Sequence, residues 1–109
     1  MSAAEDFHRY FAEWPLIAII RGVTPEDAEA TAKAIFEGGI RIIEVPLNSP
    51  QPFDSIQIIA RALGDSALIG AGTVLNTDDV RRVQHVGGRL VVAPNMNEDV
   101  IRLAVDAGM

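Results

Sequence analysis

One carboxylate stands out among the residues whose types and spacing suggest chemistry. Glu44 follows IRII and precedes VPLNSP, within a segment that is otherwise apolar. Burying a carboxylate among isoleucine and valine side chains is costly and raises its pKa. A glutamate in such a place can take up and return a proton near neutral pH. The same pattern also fits a structural glutamate that pairs with Arg21 or caps a loop.

Arg21, in the segment IIRGV, ends the apolar run that precedes the one containing Glu44. A guanidinium at a strand end can bind a carboxylate or a phosphate through two parallel hydrogen bonds. Arg21 is therefore a candidate substrate-binding residue. It is equally a candidate structural partner for Glu44, and the two roles are compatible.

A third candidate is the glycine-rich segment Gly70-Ala71-Gly72-Thr73. Small residues let a ligand approach the backbone, and the Thr73 hydroxyl can donate a hydrogen bond to a carboxylate oxygen. The segment is not the dinucleotide-binding fingerprint, because the third glycine and the later acidic residue are missing. A tight turn without any ligand is the alternative interpretation.

Other reactive residue types are poorly placed for chemistry. His8 and His85 fall on predicted helices, and Lys33, the only lysine, lies in the middle of a helix in EATAKAIF. We expect both histidines to be surface or packing residues and Lys33 to be a solvated side chain on the outer layer. No histidine–carboxylate cluster has metal-ligand spacing and the chain has no cysteine, so we expect neither a metal site nor a disulfide. Trp14 is expected to pack beneath the sheet beside Pro15.

Short apolar strands that alternate with amphipathic helices must position these residues. Helix starts are indicated by Thr24 before Pro25, by Asn76 or Thr77, and by Asn97, while glycines end the helices. The predicted helices cover 3–13, about 25–37, about 51–63, about 77–86 and from 97 to near 108. The predicted strands are 16–20, 40–45, 67–71 and 89–93.

This alternation favours parallel βαβ units in an α/β fold. The unit repeats about every 25 residues, since GGIRIIEVP (38–46) aligns with GGRLVVAPN (87–95). Regular units of this kind suit the first four βα units of a (β/α)8 barrel, preceded by a short helix, in one partial domain over 1–109. A complete barrel has roughly 250 residues. A four-stranded doubly wound sheet is the competing layout.

Four barrel strands cannot close on themselves, so the first and fourth strands would expose their backbone edges. We therefore expect a truncated chain, or one whose other half comes from a partner. In a barrel the strand ends form the site: Arg21, Glu44, Thr73 and Pro94-Asn95.

Composition excludes several classes of function. The net charge of −6, without long acidic runs, argues against binding to nucleic acid. The N-terminus lacks the pattern of a signal peptide, and no apolar stretch approaches the roughly 18–20 residues that span a bilayer. We expect a protein of the cytoplasm that does not bind membranes.

The strand-end motifs together resemble those of the class I aldolases that cleave 2-keto-3-deoxy-6-phospho sugar acids. They are RGVTPEDA (21–28), GGIRIIEVPLNSP (38–50), LIGAGTVL (68–75) and VVAPNMNEDVI (91–101). The segment Pro46-Leu47-Asn48-Ser49, where the phosphogluconate enzymes usually have a Thr-Leu-Arg-Thr type sequence, resembles the 2-keto-3-deoxy-6-phosphogalactonate branch. Pro94-Asn95 supports the same branch.

The resemblance implies a Schiff-base aldolase that forms pyruvate and D-glyceraldehyde 3-phosphate, acts as a homotrimer and needs no cofactor or metal. Glu44 matches the catalytic proton shuttle. Thr73 matches the residue that holds the pyruvate-like carboxylate, and Arg21 matches a substrate-binding arginine.

The family's Schiff-base lysine lies on the sixth strand and its phosphate loop follows the seventh and eighth, and neither is in this sequence. We therefore expect the 109 residues alone to be inactive. The alternatives are a phosphogluconate-cleaving aldolase, a non-catalytic half-barrel that self-associates, and a phosphosugar isomerase or epimerase that uses Glu44 as a base.

Overall fold

The computed structural model describes residues 1–109 and contains five helices and four strands in the predicted order. The helices agree with their predicted bounds to within about one residue at most ends. The elements are α1 (Ala3–Glu13), β1 (Ala18–Ile19), α2 (Pro25–Glu37), β2 (Ile42–Pro46), α3 (Pro52–Leu63), β3 (Leu68–Gly72), α4 (Thr77–His85), β4 (Leu90–Val91) and α5 (Glu98–Asp106).

Side-chain caps fix the starts of three helices. Ser2 accepts a hydrogen bond from the backbone N–H of Glu5, Asn76 accepts one from Asp79, and Asn97 caps α5 as predicted. The expected Thr24 cap is wrong, because its hydroxyl lies 3.4 Å from the Asp27 carboxylate and bonds no backbone N–H. Thr24 is still the N-cap residue of α2, but only its backbone carbonyl accepts, from the N–H of Asp27 at 3.1 Å, and Pro25 stands at the first helical position, where no N–H is needed.

The sheet is parallel and its strands lie in chain order, β1-β2-β3-β4. In a doubly wound sheet the order of the strands reverses at one point, and the strand order of this sheet does not reverse. Right-handed crossovers between successive neighbours place all the connecting helices on one face, as in half of a barrel. β1 and β4 are only two residues long, shorter than the predicted 16–20 and 89–93, because each has a single neighbouring strand.

The outer face of the sheet carries the main core. Alternate residues of β2 and β3, including Ile43, Val45, Ile69 and Ala71, pack against α2 to α5 in a cluster of 16 buried residues. A fully buried isoleucine or valine contributes about 1.5–3 kcal/mol relative to the exposed side chain. This cluster holds the strands in place and thereby positions their carboxyl ends.

The inner face is covered only at the amino ends of the strands, where α1 crosses it. Ala3 and Tyr10 of α1 pack on Ile42 and Leu68. Asp6 is buried, and its carboxylate bonds Arg89 at 2.8 Å, just before β4. This ion pair joins α1 to the segment before β4, and Asp6 also pairs with Arg9 of its own helix at 3.2 Å.

Trp14 lies at the same end, as predicted, but it is 55% exposed and packs only on one side, against Gly39. Gly39 has a φ of 109°, and a Cβ there would lie 3.0 Å from the indole nitrogen. The glycine therefore ends α2 and also makes room for the tryptophan.

The rest of the inner face is open. Ile17 is 37% exposed and Ile19 is 58% exposed, and an apolar groove of about 420 Å³ runs along the free edge of β4 between α1 and α5. These surfaces fit the expectation of unpaired strand edges. None of the helices has the length and apolarity that crossing a membrane requires.

Candidate active site

Glu44 lies on the inner face of β2, in register with Ile19 of β1 and Gly70 of β3. The residue is 3% exposed, and its Oε2 atom is buried without a hydrogen-bond partner. Burial raises the pKa of Glu44, and the positive charge of Arg21 lowers it in part. A buried carboxylate that no side chain satisfies is available to accept or return a proton, because nothing in the chain holds it in one state.

Gly72 makes room for this carboxylate. A Cβ built on Gly72 would collide with both oxygens and the carboxyl carbon of Glu44. The carboxylate therefore rests directly on the Gly72 backbone, at the carboxyl end of β3. The glycines were expected to leave space for a ligand, but the space at Gly72 is filled by the glutamate instead.

Gly70 has a different role from Gly72. A Cβ on Gly70 would collide with the backbone of Leu90, its partner in β4. Gly70 therefore allows β3 to pack closely against β4, and Gly72 makes room for the Glu44 carboxylate. A glycine two residues before another glycine is too weak a signal to predict either contact.

Arg21 lies in the turn after β1, close enough to lower the pKa of Glu44 through its charge. It forms no ion pair with the glutamate. Its Nη1 instead donates a hydrogen bond of 2.5 Å to Oδ1 of Asn48, in the loop after β2. The alternative in which Arg21 and Glu44 form a direct structural pair is therefore wrong in this structure, and the guanidinium stays exposed.

Thr73 directly follows Gly72 at the end of β3 and is half-buried. Its φ is 56°, in the left-handed region that β-branched residues rarely adopt. The next residue, Val74, is fully buried and donates a hydrogen bond to the Val92 carbonyl, so the chain turns sharply here and then rejoins the core. Backbone strain of this kind concentrates at functional sites.

The structure brings Arg21, Glu44 and Thr73 to one end of the sheet, where the first three strands terminate. Pro94 and Asn95 are exposed in the loop after β4, at the same end but further from the glutamate in the sheet. Asn48 was named only as part of a motif, and its contact with Arg21 spans 27 residues. No local pattern signals a contact of that range.

Of the two places considered for the histidines, surface or packing, the structure shows the surface, and Lys33 is solvated as predicted. His8 and His85 are exposed on helices. Lys33 is exposed on α2 and pairs with Glu29 at 2.7 Å, one helical turn earlier. Its amine lies on the outer layer, away from the strand ends. The structure contains no group of three or more histidine, aspartate or glutamate side chains placed to hold a metal ion.

The parallel sheet in chain order, with its connecting helices on one face, is the first half of a (β/α)8 barrel, and Glu44 and Thr73 lie toward the carboxyl ends of its strands. The chain belongs to the KDPG and KHG aldolase family, whose sequence model matches residues 8–109. Among its relatives, a protein of Rhizobium meliloti (strain 1021) named "Probable 2-dehydro-3-deoxy-6-phosphogalactonate aldolase" is 54% identical over 97 residues, which cover 89% of this chain and 46% of the relative.

Solved structures agree with this assignment. The native KDPGal structure superposes with a TM-score of 0.87 at 49% identity, covering 89% of this chain and 47% of its own. A KDPG aldolase from Legionella pneumophila, with pyruvate captured at low pH as a covalent carbinolamine intermediate, has a TM-score of 0.77 at 31% identity. That match covers 86% of this chain and 45% of the other. The chain spans about half the length of the relatives it matches.

Proposed function

We propose that the complete protein containing this chain is a class I aldolase that cleaves 2-keto-3-deoxy-6-phosphogalactonate to pyruvate and D-glyceraldehyde 3-phosphate. The observation that carries the proposal is the buried, unpartnered carboxylate of Glu44, which extends from β2 to Gly72 at the carboxyl end of β3. The galactonate substrate is favoured because identity is 49% to the KDPGal structure and 31% to the KDPG aldolase.

In this reaction a lysine amine adds to the C2 ketone to form a carbinolamine, which loses water to give an iminium. Removal of the C4 hydroxyl proton then lets the C3–C4 bond break. Its electron pair moves to the iminium, which leaves an enamine and the aldehyde product. Protonation of the enamine at C3 and hydrolysis release pyruvate and regenerate the amine.

Glu44 is the proposed catalytic residue of each proton transfer. It gives a proton to the departing hydroxyl of the carbinolamine and accepts one from the C4 hydroxyl. The raised pKa of Glu44 suits both directions, because a carboxyl that titrates closer to neutral pH donates and accepts more readily.

The amine must come from another element of the complete protein. Lys33 is held by Glu29 on the outer layer and cannot reach the inner face. Residues 1–109 therefore supply the proton shuttle and part of the binding surface, and we expect no turnover from them alone.

Arg21 and Thr73 are the proposed substrate-binding residues. The exposed guanidinium of Arg21 keeps free N–H donors beside its bond to Asn48 and suits an anionic or hydroxyl oxygen. The Thr73 hydroxyl, placed by the turn after Gly72, suits the carboxylate of the pyruvate moiety.

Reductive trapping tests the mechanism. Pyruvate with borohydride is expected to label the complete protein covalently, with a mass increase that matches reduced pyruvate. Glu44→Gln is expected to lower kcat at least about 100-fold, the lower range for loss of a general acid–base. Binding of pyruvate without any trapping would refute the Schiff base, and unchanged turnover in Glu44→Gln would remove Glu44 from its role.

The alternatives predict different results in the same assays. A phosphogluconate-cleaving enzyme would prefer the C4 epimer, so kcat/KM for the two epimers decides between the branches. An isomerase or epimerase would turn over phosphosugars without being trapped. A non-catalytic half-barrel, which the open edges of β1 and β4 favour for residues 1–109 alone, would show neither activity.

We also propose that the complete enzyme is a homotrimer of the cytoplasm. The absence of cysteine fits a reducing compartment, and family resemblance supports the trimer. Light scattering on the complete protein tests the subunit number, and cell fractionation tests the compartment.

A further inference from the structure

Two hydrogen bonds connect the loop after β2 to the turn after β1. Nη1 of Arg21 donates to Oδ1 of Asn48 at 2.5 Å, and the backbone N–H of Gly22 donates to Oγ of Ser49 at 3.0 Å. Ser49 is buried, and Gly22 has a φ of 84°. The first bond holds the end of the Arg21 side chain. The second holds the backbone of Gly22, the residue that follows it.

The partner of Arg21 is a neutral amide, although the arginine lies near a carboxylate. An arginine side chain has many rotamers, so an exposed one is poorly ordered unless a partner fixes it. The Asn48 oxygen fixes it without adding a negative charge beside the guanidinium. Because Oδ1 accepts from the arginine, Nδ2 of Asn48 remains a second donor beside it.

We propose that Asn48 is a positioning residue that orients Arg21 toward an anionic or hydroxyl group of the substrate while leaving the arginine charge available. This inference rests on the proposed aldolase function. It explains why a neutral asparagine is suited to this position: an aspartate would hold the arginine equally well but would neutralise it. Asn48 acts through Arg21, so its substitution should affect substrate binding more than the chemical steps.

The test compares Asn48→Ala, Asn48→Asp and a matched control, Gln84→Ala, in the complete protein. Gln84 is an exposed amide residue on α4, away from the strand ends. Asn48→Ala is expected to raise KM for the phosphorylated keto-deoxy acid about tenfold, as loss of one hydrogen bond to a charged group does, with kcat within about threefold. Gln84→Ala is expected to keep both constants.

Asn48→Asp separates orientation from charge and retains the acceptor, so the loop keeps its contact with Arg21. We expect its KM to rise at least as much as in Asn48→Ala, with the same thermal stability as the parent protein. A wild-type KM in either Asn48 variant would overturn the inference.

Borohydride trapping at saturating pyruvate, measured on the same proteins, distinguishes this failure from failure of the proposed function. Trapping in the parent and in all variants, with unchanged KM values, refutes only the role of Asn48. No trapping in the parent protein refutes the aldolase function on which the inference rests.

Discussion

The carboxylate of Glu44, in β2, lies directly against the backbone of Gly72 in the neighbouring strand β3. The contact depends on the absence of a side chain at residue 72, since a single Cβ would occupy the place of the carboxylate. The position of the proposed proton shuttle is therefore set by a residue that carries no functional group.

Replacing Gly72 by alanine is expected to displace the Glu44 carboxylate and to lower kcat about 100-fold, because a misplaced acid–base group loses much of its effect. Steady-state kinetics of the complete protein measure this effect. Thermal unfolding of the same variant shows whether the sheet is intact.

Gly38→Ala is the matched control for that variant. It adds the same methyl group at the end of α2, where the nearest atom of the chain lies 3.3 Å from the new Cβ, away from the site. Its kcat should stay within about threefold of the parent. Equal losses of kcat in both variants would mean that the Gly72 effect is a general loss of folding.

The buried carboxylate should reduce stability as pH rises. The native state raises the pKa of Glu44 above its ordinary value of 4.5, so its stability contribution is complete below that value and is lost as pH rises through the native pKa. The glutamine of Glu44→Gln cannot ionise, so the free energy of unfolding of this variant should exceed that of the parent by about 1–3 kcal/mol at high pH. At pH 4 the difference should be much smaller.

Denaturant unfolding of the parent and of Glu44→Gln between pH 4 and 9 measures this trend. Glu37→Gln, which makes the same change at an exposed position at the end of α2, is the matched control for the substitution itself. A difference for Glu44→Gln that does not change with pH would contradict a titrating buried carboxylate.

Thr73 combines backbone strain with a hydroxyl that we assign to the substrate. Thr73→Gly relieves the left-handed conformation and should raise the free energy of unfolding by about 1 kcal/mol, while it removes the hydroxyl. Thr73→Ala keeps the strain and should weaken pyruvate binding about tenfold, the value of one hydrogen bond to a carboxylate. Thr73→Ser should bind pyruvate like the parent.

Calorimetric titration with pyruvate and thermal unfolding, applied to all three Thr73 variants, separate the two effects. If Thr73→Ala binds pyruvate as tightly as Thr73→Ser, the hydroxyl has no role in binding. A Thr73→Gly protein that is less stable than the parent would show that the turn is not strained.

Residues 1–109 produced alone are expected to self-associate, because Ile17 and Ile19 expose apolar surface beside the free edge of β1. Ile19→Lys should lower the apparent mass in light scattering. Met96→Lys is a control, because Met96 is 88% exposed in a loop away from that edge. A stable monomer of the parent chain at about 100 μM would contradict the expectation.

Local sequence signals predicted the elements because each signal acts within a few residues. The α1 range of 3–13 and the Asn97 cap were both confirmed. The predicted side-chain cap at Thr24 was wrong, since its hydroxyl contacts the Asp27 carboxylate and no backbone N–H. The lengths of β1 and β4 were overestimated, since apolar pattern does not reveal how many neighbours a strand has.

In the candidate site, too, one residue could be predicted from local sequence and the contacts around it could not. Glu44 was recognisable because a charged residue is costly to bury in an apolar strand and is therefore unusual there. Its burial follows from the fold. The contacts that place it were not recognisable. Gly72 meets Glu44 and Asn48 meets Arg21 across neighbouring strands, and such pairs depend on register rather than on local spacing.

The helix α1 makes the two ends of the half-barrel unequal. Tyr10 occupies the inner face at the amino ends of β2 and β3, and the Asp6–Arg89 pair anchors the helix there. Whatever half completes the barrel must therefore leave room for α1 at the amino ends of its own strands.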